Sequence, residues 1–281
     1  NGAECEPYLT CDHRLMLEKS EEIMVGITII MKALGVKKAF IGIENNKPDA
    51  IKQLTSLTQK YSNIEVVPLK KKYPQGAEKQ LIKAITGREV PSGKLPIEVG
   101  CVVQNVATAK AIYDAVQKNK PLIERVVTIT GPNLSNPSNF LTRIGVPINH
   151  LIELAGGLPE DTAKLISGGP MMGKALPNTD IPLTKGMGGI LLLPEKLSKR
   201  IEPYPCIRCG RCAHACPMGL EPFYLEKLII KERWEEAEKH WIMDCMECGS
   251  CQYTCPAKRP LLDYIRLGKN KVSAIIRSRK N

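Results

Sequence analysis

The chain has 281 residues, of which 43% are hydrophobic and 25% charged, a composition that excludes disordered and fibrous proteins. The longest apolar run, Ile23 to Met31, is far shorter than the about 20 residues that a membrane-spanning helix needs. The formal net charge is +11, and residues 258–281 hold eight Lys or Arg and one Asp. The sequence shows no aromatic-plus-basic pattern of the kind that supports nucleic-acid binding, so we expect no nucleic-acid partner. No signal peptide is visible, and because the first residue is Asn we expect the natural N-terminus to be missing.

Residues 1–120 alternate between strand and helix patterns. Apolar strand patterns occupy residues 38–43 and 64–67. Such alternation predicts an α/β domain with a parallel sheet. Glu44-Asn45-Asn46 follows the first strand, at the end where open α/β sheets bind ligands. Helix patterns cover residues 21–34, closed by Gly35, and residues 48–61, 77–86 and 106–117.

Residues 121–194 have a different texture, with shorter strands and more turns. A β-branched strand over residues 125–130 runs into a turn-rich loop, and a helix is predicted over residues 149–155. Two glycine-rich loops, residues 168–173 and 186–189, could bind a ligand, although such glycines more often permit tight turns. This pattern predicts a small separate α+β domain. Further short strands are expected at residues 165–173, 181–183 and 189–193.

Two copies of one cysteine motif dominate the C-terminal part of the chain. Cys206 to Pro217 and Cys245 to Pro256 both read C-x2-C-x2-C-x3-C-P. This run of four thiols before a proline is typical of 4Fe-4S ligation. Structural zinc is the alternative, but zinc sites use two separated ligand pairs. Disulfides are disfavoured, because eight cysteines within fifty residues of a 281-residue chain indicate metal ligation rather than the disulfide framework of a small secreted domain.

The spacing also predicts which thiols share a cluster. Three cysteines two residues apart can wrap one cluster, whereas the fourth cannot easily fold back onto it. In two-cluster ferredoxins the fourth cysteine ligates the other cluster. We therefore expect Cys206, Cys209, Cys212 and Cys255 to hold one 4Fe-4S cluster, and Cys245, Cys248, Cys251 and Cys216 to hold the second.

The stretch between the motifs, residues 220–243, has apolar residues at helical spacing. Residues 195–265 are therefore predicted to form an α-helical two-cluster domain. Trp234 and Trp241 are expected to pack in its core rather than to relay electrons. Residues 266–281 are expected to form a basic tail, either a solvated and partly disordered terminus or a docking element whose deletion leaves the clusters intact.

Three cysteines and four histidines lie outside the cluster ligands. Cys5, Cys11 and Cys101 are expected to be buried, inert thiols. His214 is taken as a residue of the first cluster loop. The remaining histidines, His13, His150 and His240, show no ligand spacing.

The first residues carry a resemblance that the later domains extend. Asn1-x-x-Glu4-x-Glu6-Pro7 resembles the stretch that lines the FMN and NADH site in the flavoprotein subunit of respiratory complex I. The paired cysteine motifs depart from that subunit and are similar to the C subunit of the Rnf/Rsx membrane electron-transport complexes. The resemblance covers essentially the whole chain. It implies a Rossmann-like FMN/NADH-binding domain (1–120), a β-grasp domain of the soluble-ligand-binding (SLBB) type (121–194), a dicluster 4Fe-4S domain (195–265) and a basic tail (266–281).

The same resemblance implies the residues that bind FMN and NADH. The family's Tyr-x-x-Gly-Glu-Glu loop is matched at Tyr73 to Glu78, except that Ala77 replaces the first Glu. Its Asn-Asn-Val turn is matched with Gln104 in place of the first Asn. The family's glycine-rich phosphate loop would lie upstream of Asn1, so this domain is expected to be N-terminally truncated. The implied cofactor-binding residues are Asn1, Glu4, Glu6, Tyr73, Gly76, Glu78, Gln104 and Asn105.

The function implied by the resemblance is electron transfer in a membrane-bound, ion-translocating NADH:ferredoxin oxidoreductase. Electrons would pass between NADH, FMN and the two 4Fe-4S clusters, and the chain would dock peripherally on other subunits at the cytoplasmic face of the membrane. Ferredoxin is a further candidate partner. Two alternatives stay open: a relay and docking module without its own flavin site, and a subunit of a soluble NADH-dependent dehydrogenase or hydrogenase.

Overall fold

The computed structural model describes residues 1–279, which form two compact units. The first unit comprises residues 1–90 and 96–199, and the second comprises residues 91–95 and the chain from Arg200 onward. The predicted boundary at residue 120 falls inside the first unit, and the predicted boundary at residue 194 lies close to its end. The exact domain limits therefore stay predictions.

The N-terminal part of the first unit contains the predicted alternation of helices and strands. Its two strands are parallel, with Ala39 opposite Ile64, as the sequence indicates. A helix over Cys11–Glu18, which the sequence patterns did not predict, precedes the others. The elements are α1 (Cys11–Glu18), α2 (Ser20–Leu34), β1 (Ala39–Glu44), α3 (Pro48–Leu57), β2 (Ile64–Leu69), α4 (Glu78–Thr86), a short 3-10 helix (Pro96–Val99) and α5 (Val106–Gln117).

Close contact between α2 and α5 shapes the core of this part. A Cβ atom added to Gly26 would lie 1.9 Å from the carbonyl oxygen of Ala109, so only glycine lets the helices approach this closely. Gly35 ends α2 in the left-handed conformation, as the sequence predicts. The apolar faces of the helices and β1 form a shared core that includes Met16, Ile23 and Ile43.

The rest of the first unit is a five-stranded mixed sheet with a helix packed against it. The strand order is β4-β3-β7-β5-β6, with β3 and β7 parallel and the other pairs antiparallel. The strand predicted at residues 181–183 was wrong, since only an isolated bridge between Pro147 and Pro182 forms there. The strand predicted over residues 165–173 ends at Ser167, because the chain turns at Gly168, which takes φ 99°. The elements are β3 (Glu124–Thr130), β4 (Ser138–Arg143), α6 (Ile148–Leu154), β5 (Thr162–Ser167), β6 (Lys174–Leu176), β7 (Gly189–Pro194) and α7 (Glu195–Ser198).

The second unit is helical, as predicted. The stretch between the cysteine motifs forms two helices rather than one, since the chain turns at Glu232, which has a positive φ. Trp234 packs against the core of the unit, whereas Trp241 is 61% exposed, so the packing prediction is wrong for Trp241. The elements are α8 (Arg211–His214), α9 (Pro222–Ile230), α10 (Trp234–Lys239), a 3-10 helix (Ile242–Asp244), α11 (Ser250–Tyr253) and α12 (Leu261–Ser278).

The basic tail predicted at residues 266–281 is, as far as the structure describes it, part of the last helix of the second unit. Residues 266–278 belong to α12, which buries Ile265, Gly268 and Val272 against the second unit. Deleting residues 266–281 would thus remove core packing, so this deletion cannot test docking alone as the sequence patterns suggested. Residues 280–281 lie outside the described part of the chain. No helix within residues 1–279 combines the length and apolar character needed to cross a membrane.

Candidate functional site

The two cysteine motifs fold into loops with the same backbone conformation. In the first, Arg208 and Gly210 flank the second cysteine with φ values of 55° and 72°. In the second, Glu247 and Gly249 occupy the equivalent positions with φ values of 59° and 76°. Each loop then leads into a four-residue helix, α8 or α11, that carries the third cysteine. These left-handed residues curl each loop so that its first three thiols converge.

The first set of thiols lines a cavity of about 290 Å³. Cys206, Cys209 and Cys212 come from the first motif, and Cys255 comes from the second. Apolar residues, among them Phe223, complete the lining together with four charged residues: Arg208, Glu226, Lys227 and Arg259. The geometry thus brings together the four thiols that the spacing rule groups, and the fourth is contributed by the other motif.

The second set lies around a narrower cavity of about 20 Å³. Cys245, Cys248 and Cys251 meet Cys216 of the first motif there, beside the apolar side chains of Leu262 and Ile265. The exchange of the fourth thiol between the motifs is therefore reciprocal. Each set offers four sulfur ligands in apolar surroundings, which suits the ligand number and chemistry of a 4Fe-4S cluster.

Burial raises the pKa of two thiols of the second set. It raises the pKa of Cys245 to about 11 and that of Cys251 to about 12, and it also raises the pKa of Cys212 in the first set. Iron binds the thiolate, so loading of these sites must release protons.

In the first unit, the structure gathers several of the residues implied in FMN and NADH binding. The Asn1 side-chain amide donates to the carbonyl oxygen of Gly76 at 2.9 Å, and the backbone N–H of Val106 donates to the Asn1 carbonyl oxygen at 3.1 Å. The loop after β2 and the start of α5 therefore meet at the N-terminal stretch. A Cβ atom on Gly76 would lie 2.2 Å from the carbonyl oxygen of Ala3, so this approach requires glycine.

Glu4 caps the helix that the sequence patterns did not predict. Its carboxylate accepts hydrogen bonds from the backbone N–H groups of Asp12 and His13 at 3.0 and 3.1 Å, and from the Cys11 thiol at 3.3 Å. Thr10 at the N-cap position provides no side-chain cap, so Glu4 satisfies these N–H groups from outside the helix. Glu4 thus orders α1 next to the N-terminal stretch.

Glu6 holds the first glycine-rich loop of the β-grasp part. Its carboxylate accepts hydrogen bonds from the backbone N–H groups of Met171 and Met172 at 3.1 and 2.7 Å, and it also bonds with the Tyr73 side chain. Burial raises the pKa of Glu6, while these hydrogen bonds oppose the rise. A Cβ atom on Gly169 would lie 2.1 Å from the Glu6 carboxylate. This loop therefore both turns tightly and binds a carboxylate of its own chain.

Asn105 and Asp12 connect α5 to α1. The Asn105 side-chain oxygen caps α5 by accepting from the N–H of Ala107 at 2.8 Å, and its amide donates to the Asp12 carboxylate at 2.7 Å. Asp12, Glu4 and Cys11 place their side-chain ligand atoms within 4.8 Å of one another. Sequence reasoning missed Asp12, although it stands in the run from Asn1 that carries the resemblance.

A buried ion pair lies beneath the same stretch. The Lys47 ammonium group donates to Glu44 at 3.3 Å and to the carbonyl oxygen of Glu4 at 3.2 Å. In the sequence, the signal for this ion pair was the position of Glu44 at the end of the strand that became β1. Within residues 1–279, the side chains of Glu78 and Gln104 make no described hydrogen bond or ion pair with these groups, so their role in the site stays a prediction.

The Asp12 carboxyl should make stability depend on pH. Burial, and then the nearby Glu4 charge, raise its pKa from 3.8 to about 6, although the Asn105 hydrogen bond opposes this. Because the folded pKa is the higher one, the free energy of unfolding falls as pH rises from about 4 to about 6. We expect Asp12→Asn to gain roughly 1–3 kcal/mol over the unsubstituted chain above pH 6, with a smaller difference towards pH 4. Guanidinium unfolding followed by circular dichroism measures this difference.

Asp49 provides the control for that measurement. Its hydrogen bond with His13 lowers its pKa, so Asp49→Asn should show no gain at neutral pH. A pH-independent difference between the Asp12→Asn variant and the unsubstituted chain would contradict the raised pKa of Asp12.

Three domain families match the chain in succession. Residues 1–114 match the Nuo51 FMN-binding domain, residues 126–175 the SLBB domain and residues 198–256 the 4Fe-4S dicluster domain. FMN and two 4Fe-4S clusters are thus the cofactors of the matched domain families, and the expected fold class is confirmed.

Curated relatives match nearly the whole chain. The C subunit of the proton-translocating ferredoxin:NAD(+) oxidoreductase complex of Clostridium ljungdahlii is 54% identical over 96% of this chain and 59% of its own length. The C subunit of the Na(+)-translocating complex of Acetobacterium woodii is 50% identical over 98% of this chain and 62% of its own length. The C subunit of the ion-translocating oxidoreductase complex of Rhodobacter capsulatus is 48% identical over 97% of this chain and 53% of its own length. The chain therefore spans somewhat more than half the length of these relatives.

Solved structures share the fold at much lower identity. An NAD+-reducing [NiFe]-hydrogenase in its H2-reduced state aligns with a TM-score of 0.67 at 17% identity, covering 97% of this chain and 55% of the hydrogenase chain. Its air-oxidised form aligns with a TM-score of 0.64 at 16% identity, covering 94% and 55%. These likenesses concern the fold. The identity to the curated relatives, together with the FMN-binding, SLBB and dicluster domains along one chain, shows that this chain belongs to the C-subunit family of the ion-translocating (Rnf-type) ferredoxin:NAD(+) oxidoreductase complexes.

Proposed function

We propose that the chain transfers electrons between NADH and two 4Fe-4S clusters, as the electron-transfer part of an ion-translocating ferredoxin:NAD oxidoreductase. The observation that carries the proposal is the reciprocal exchange of Cys216 and Cys255 between two four-thiol cavities. With a cluster in each cavity, two redox centres would lie in one small helical unit, an arrangement that serves electron transfer rather than structural stabilisation alone.

In this proposal each four-thiol set holds one cluster. The ligands of the first are Cys206, Cys209, Cys212 and Cys255, and those of the second are Cys216, Cys245, Cys248 and Cys251. The loops that present them are fixed by the fold of the unit, because α9 and α12 pack on the core that carries the thiols. Ligand loops held by this packing would limit the structural change that accompanies each electron transfer.

The residues proposed for the FMN and NADH site are those gathered at the N-terminal stretch. Asn1, Gly76 and Asn105 would bind and orient the cofactor through amides and backbone groups, and Tyr73 and Glu6 would fix the adjoining loops. FMN, when bound, supplies the conversion between the electron pair of a hydride and single electrons. Glu4, Glu78 and Gln104 complete the proposed set.

The partners follow from the names of the relatives. We propose NADH and ferredoxin as the electron-exchange partners and the other subunits of a membrane complex as the docking partners. The chain would sit peripherally at the cytoplasmic face.

An anaerobic reconstitution tests the proposal. The purified chain is loaded with iron and sulfide, supplied with FMN and then mixed with NADH. We expect about eight iron and eight sulfide per chain, and bleaching of the cluster absorbance by NADH that depends on FMN. Zinc or disulfides at the eight cysteines after anaerobic preparation would contradict the cluster assignment.

A relay and docking module without its own flavin site is the second candidate. It is favoured by the carboxylates of Glu4 and Glu6, which are already hydrogen-bonded to backbone N–H groups of the chain itself. In that case the clusters would assemble and accept electrons from dithionite, but FMN would not bind and NADH would not bleach them.

A further inference from the structure

The two cluster loops share a backbone but differ in charge and exposure. Arg208 in the first loop corresponds to Glu247 in the second, and Arg211 corresponds to Ser250. The second cysteine differs as well, since Cys209 is exposed whereas its counterpart Cys248 is buried. Hence one loop presents a thiol and two cations to solvent, while the other is largely enclosed.

The charged residues of the two loops also have different partners. Glu247 is bound within the unit by Arg266 at 3.1 Å and by Lys269 at 2.8 Å. Across the described residues 1–279, no ion pair includes Arg208 or Arg211. Their charges are therefore available to an external anion, whereas the charge of Glu247 is neutralised internally.

Exposed apolar side chains lie in the same segment. Ile207 is 67% exposed, Tyr204 64% and Ile201 59%. The N–H of Tyr204 donates to the carbonyl oxygen of Ala257 at 2.9 Å, which holds the segment beside the loop of the fourth ligand, Cys255. We call residues 201–211 the cluster edge. Exposed apolar residues next to arginines are typical of protein-interaction sites, in which Tyr and Arg contribute much of the affinity.

The charge and chemistry of the cluster edge indicate which kind of partner binds there. The two arginines select an anionic surface, and electrostatic complementarity of this kind accelerates the encounter of two proteins. An exposed cluster ligand allows a docked redox protein to exchange electrons with the cluster, whereas a lipid headgroup exchanges no electrons. Both features point to an acidic redox protein.

We propose that the cluster edge is the docking surface for an acidic protein that carries a one-electron centre, and that electrons leave or enter the helical unit through the cluster of Cys206, Cys209, Cys212 and Cys255. This inference rests on the proposed function and deepens it by naming the face and the partner chemistry. The cluster held by the enclosed second loop would then exchange electrons inside the protein rather than with the docked partner.

Stopped-flow electron transfer tests the proposal. The reconstituted chain is reduced with dithionite, freed of excess reductant and mixed with an oxidised acidic two-cluster ferredoxin as the probe. We expect Arg208→Glu/Arg211→Glu to lower the second-order rate constant at least about tenfold at low salt, and to abolish the decrease that salt causes in the unsubstituted chain. Lys271→Glu/Arg277→Glu makes the same change in net charge on α12 and should stay within about twofold.

A second variant keeps the test decisive if charge reversal disturbs cluster assembly. Ile207→Gln leaves the charge unchanged and should lower the rate severalfold, because it removes an exposed apolar contact. Iron content and the electron paramagnetic resonance signal of each dithionite-reduced variant report the clusters separately. If the unsubstituted chain shows no 4Fe-4S signal, the proposed function fails, independently of the docking surface.

Two results would overturn the docking surface itself. One is intact clusters with rates that are equal in all variants and insensitive to salt. The other is salt-sensitive binding to vesicles of phosphatidylserine and phosphatidylcholine that is lost in Arg208→Glu/Arg211→Glu while electron transfer is unchanged. The second result would assign the cluster edge to an anionic membrane surface.

Discussion

We expect a chain with the two substitutions Cys209→Ala and Cys255→Ala to keep about half of its iron, whereas Cys248→Ala/Cys255→Ala should lose nearly all of it. The physical reason is the exchange of the fourth ligand, since Cys255 lines the same cavity as Cys209 although it belongs to the motif of Cys248. Both substitutions of the first pair would remove ligands of one cluster, about four iron atoms, while those of the second pair would damage both clusters. Iron and acid-labile sulfide analysis after anaerobic reconstitution measures the difference.

The reciprocal pair of variants strengthens this test. Cys216→Ala/Cys248→Ala should keep about half of the iron, because both thiols line the second cavity. Cys101→Ala, which removes a thiol outside the motifs, should retain the full iron content. If Cys248→Ala/Cys255→Ala kept half of the iron and Cys209→Ala/Cys255→Ala lost it all, each motif would hold its own cluster and the exchange would be wrong.

A second large effect is expected at an ion pair that lines the first four-thiol cavity. The Glu226 side chain on α9 is only 2% exposed and is bound by Arg259, which is 22% exposed, at 2.7 Å. Arg259 follows the Cys255 ligand and lines the first cavity, so the pair fixes that ligand loop to α9. We expect Arg259→Met to lower the free energy of unfolding by about 3–5 kcal/mol, because it leaves a carboxylate buried without its partner. Anaerobic guanidinium unfolding, followed by the cluster absorbance, measures this loss.

Removing both members of the pair distinguishes the loss of their mutual attraction from the cost of leaving Glu226 buried and unpaired. Glu226→Leu/Arg259→Met should recover most of the stability that Arg259→Met loses, since no buried charge then remains. Arg200→Met is the matched control. Its partner Asp263 is 39% exposed, so the loss should be below about 1 kcal/mol. A double variant as unstable as Arg259→Met would show that packing of the Arg259 side chain, rather than the charge of Glu226, accounts for the loss.

Features that depend on neighbours in the sequence could be predicted well. The helix over Val106–Gln117 and the left-handed end of α2 at Gly35 both follow from local periodicity and local backbone preference. The grouping of the thiols is of the same kind, because the reach of a short loop restricts which cysteines can meet on one cluster.

Features that depend on residues far apart in the sequence could not be predicted. Glu6 accepts its hydrogen bonds from Met171 and Met172, and nothing near Glu6 in the sequence indicates that loop. Trp241 was expected in the core from its helical spacing, but the chain turns there with φ 59° and leaves the side chain exposed. The basic C-terminal residues were expected to form a tail, either solvated or used for docking, yet Lys269 binds Glu247 and the apolar face of α12 packs in the core.

The sequence by itself determined the two cysteine motifs and the order of the domains, because these rest on short-range spacing and on chemical type, whereas the residues that serve each cofactor stay predictions. Only the tertiary structure decided that Glu4 caps α1, that Glu6 holds a glycine loop and that one cluster loop is exposed and cationic while its counterpart is enclosed. The physical reason is that burial and hydrogen bonding are set by groups far away along the chain, which local sequence patterns do not specify.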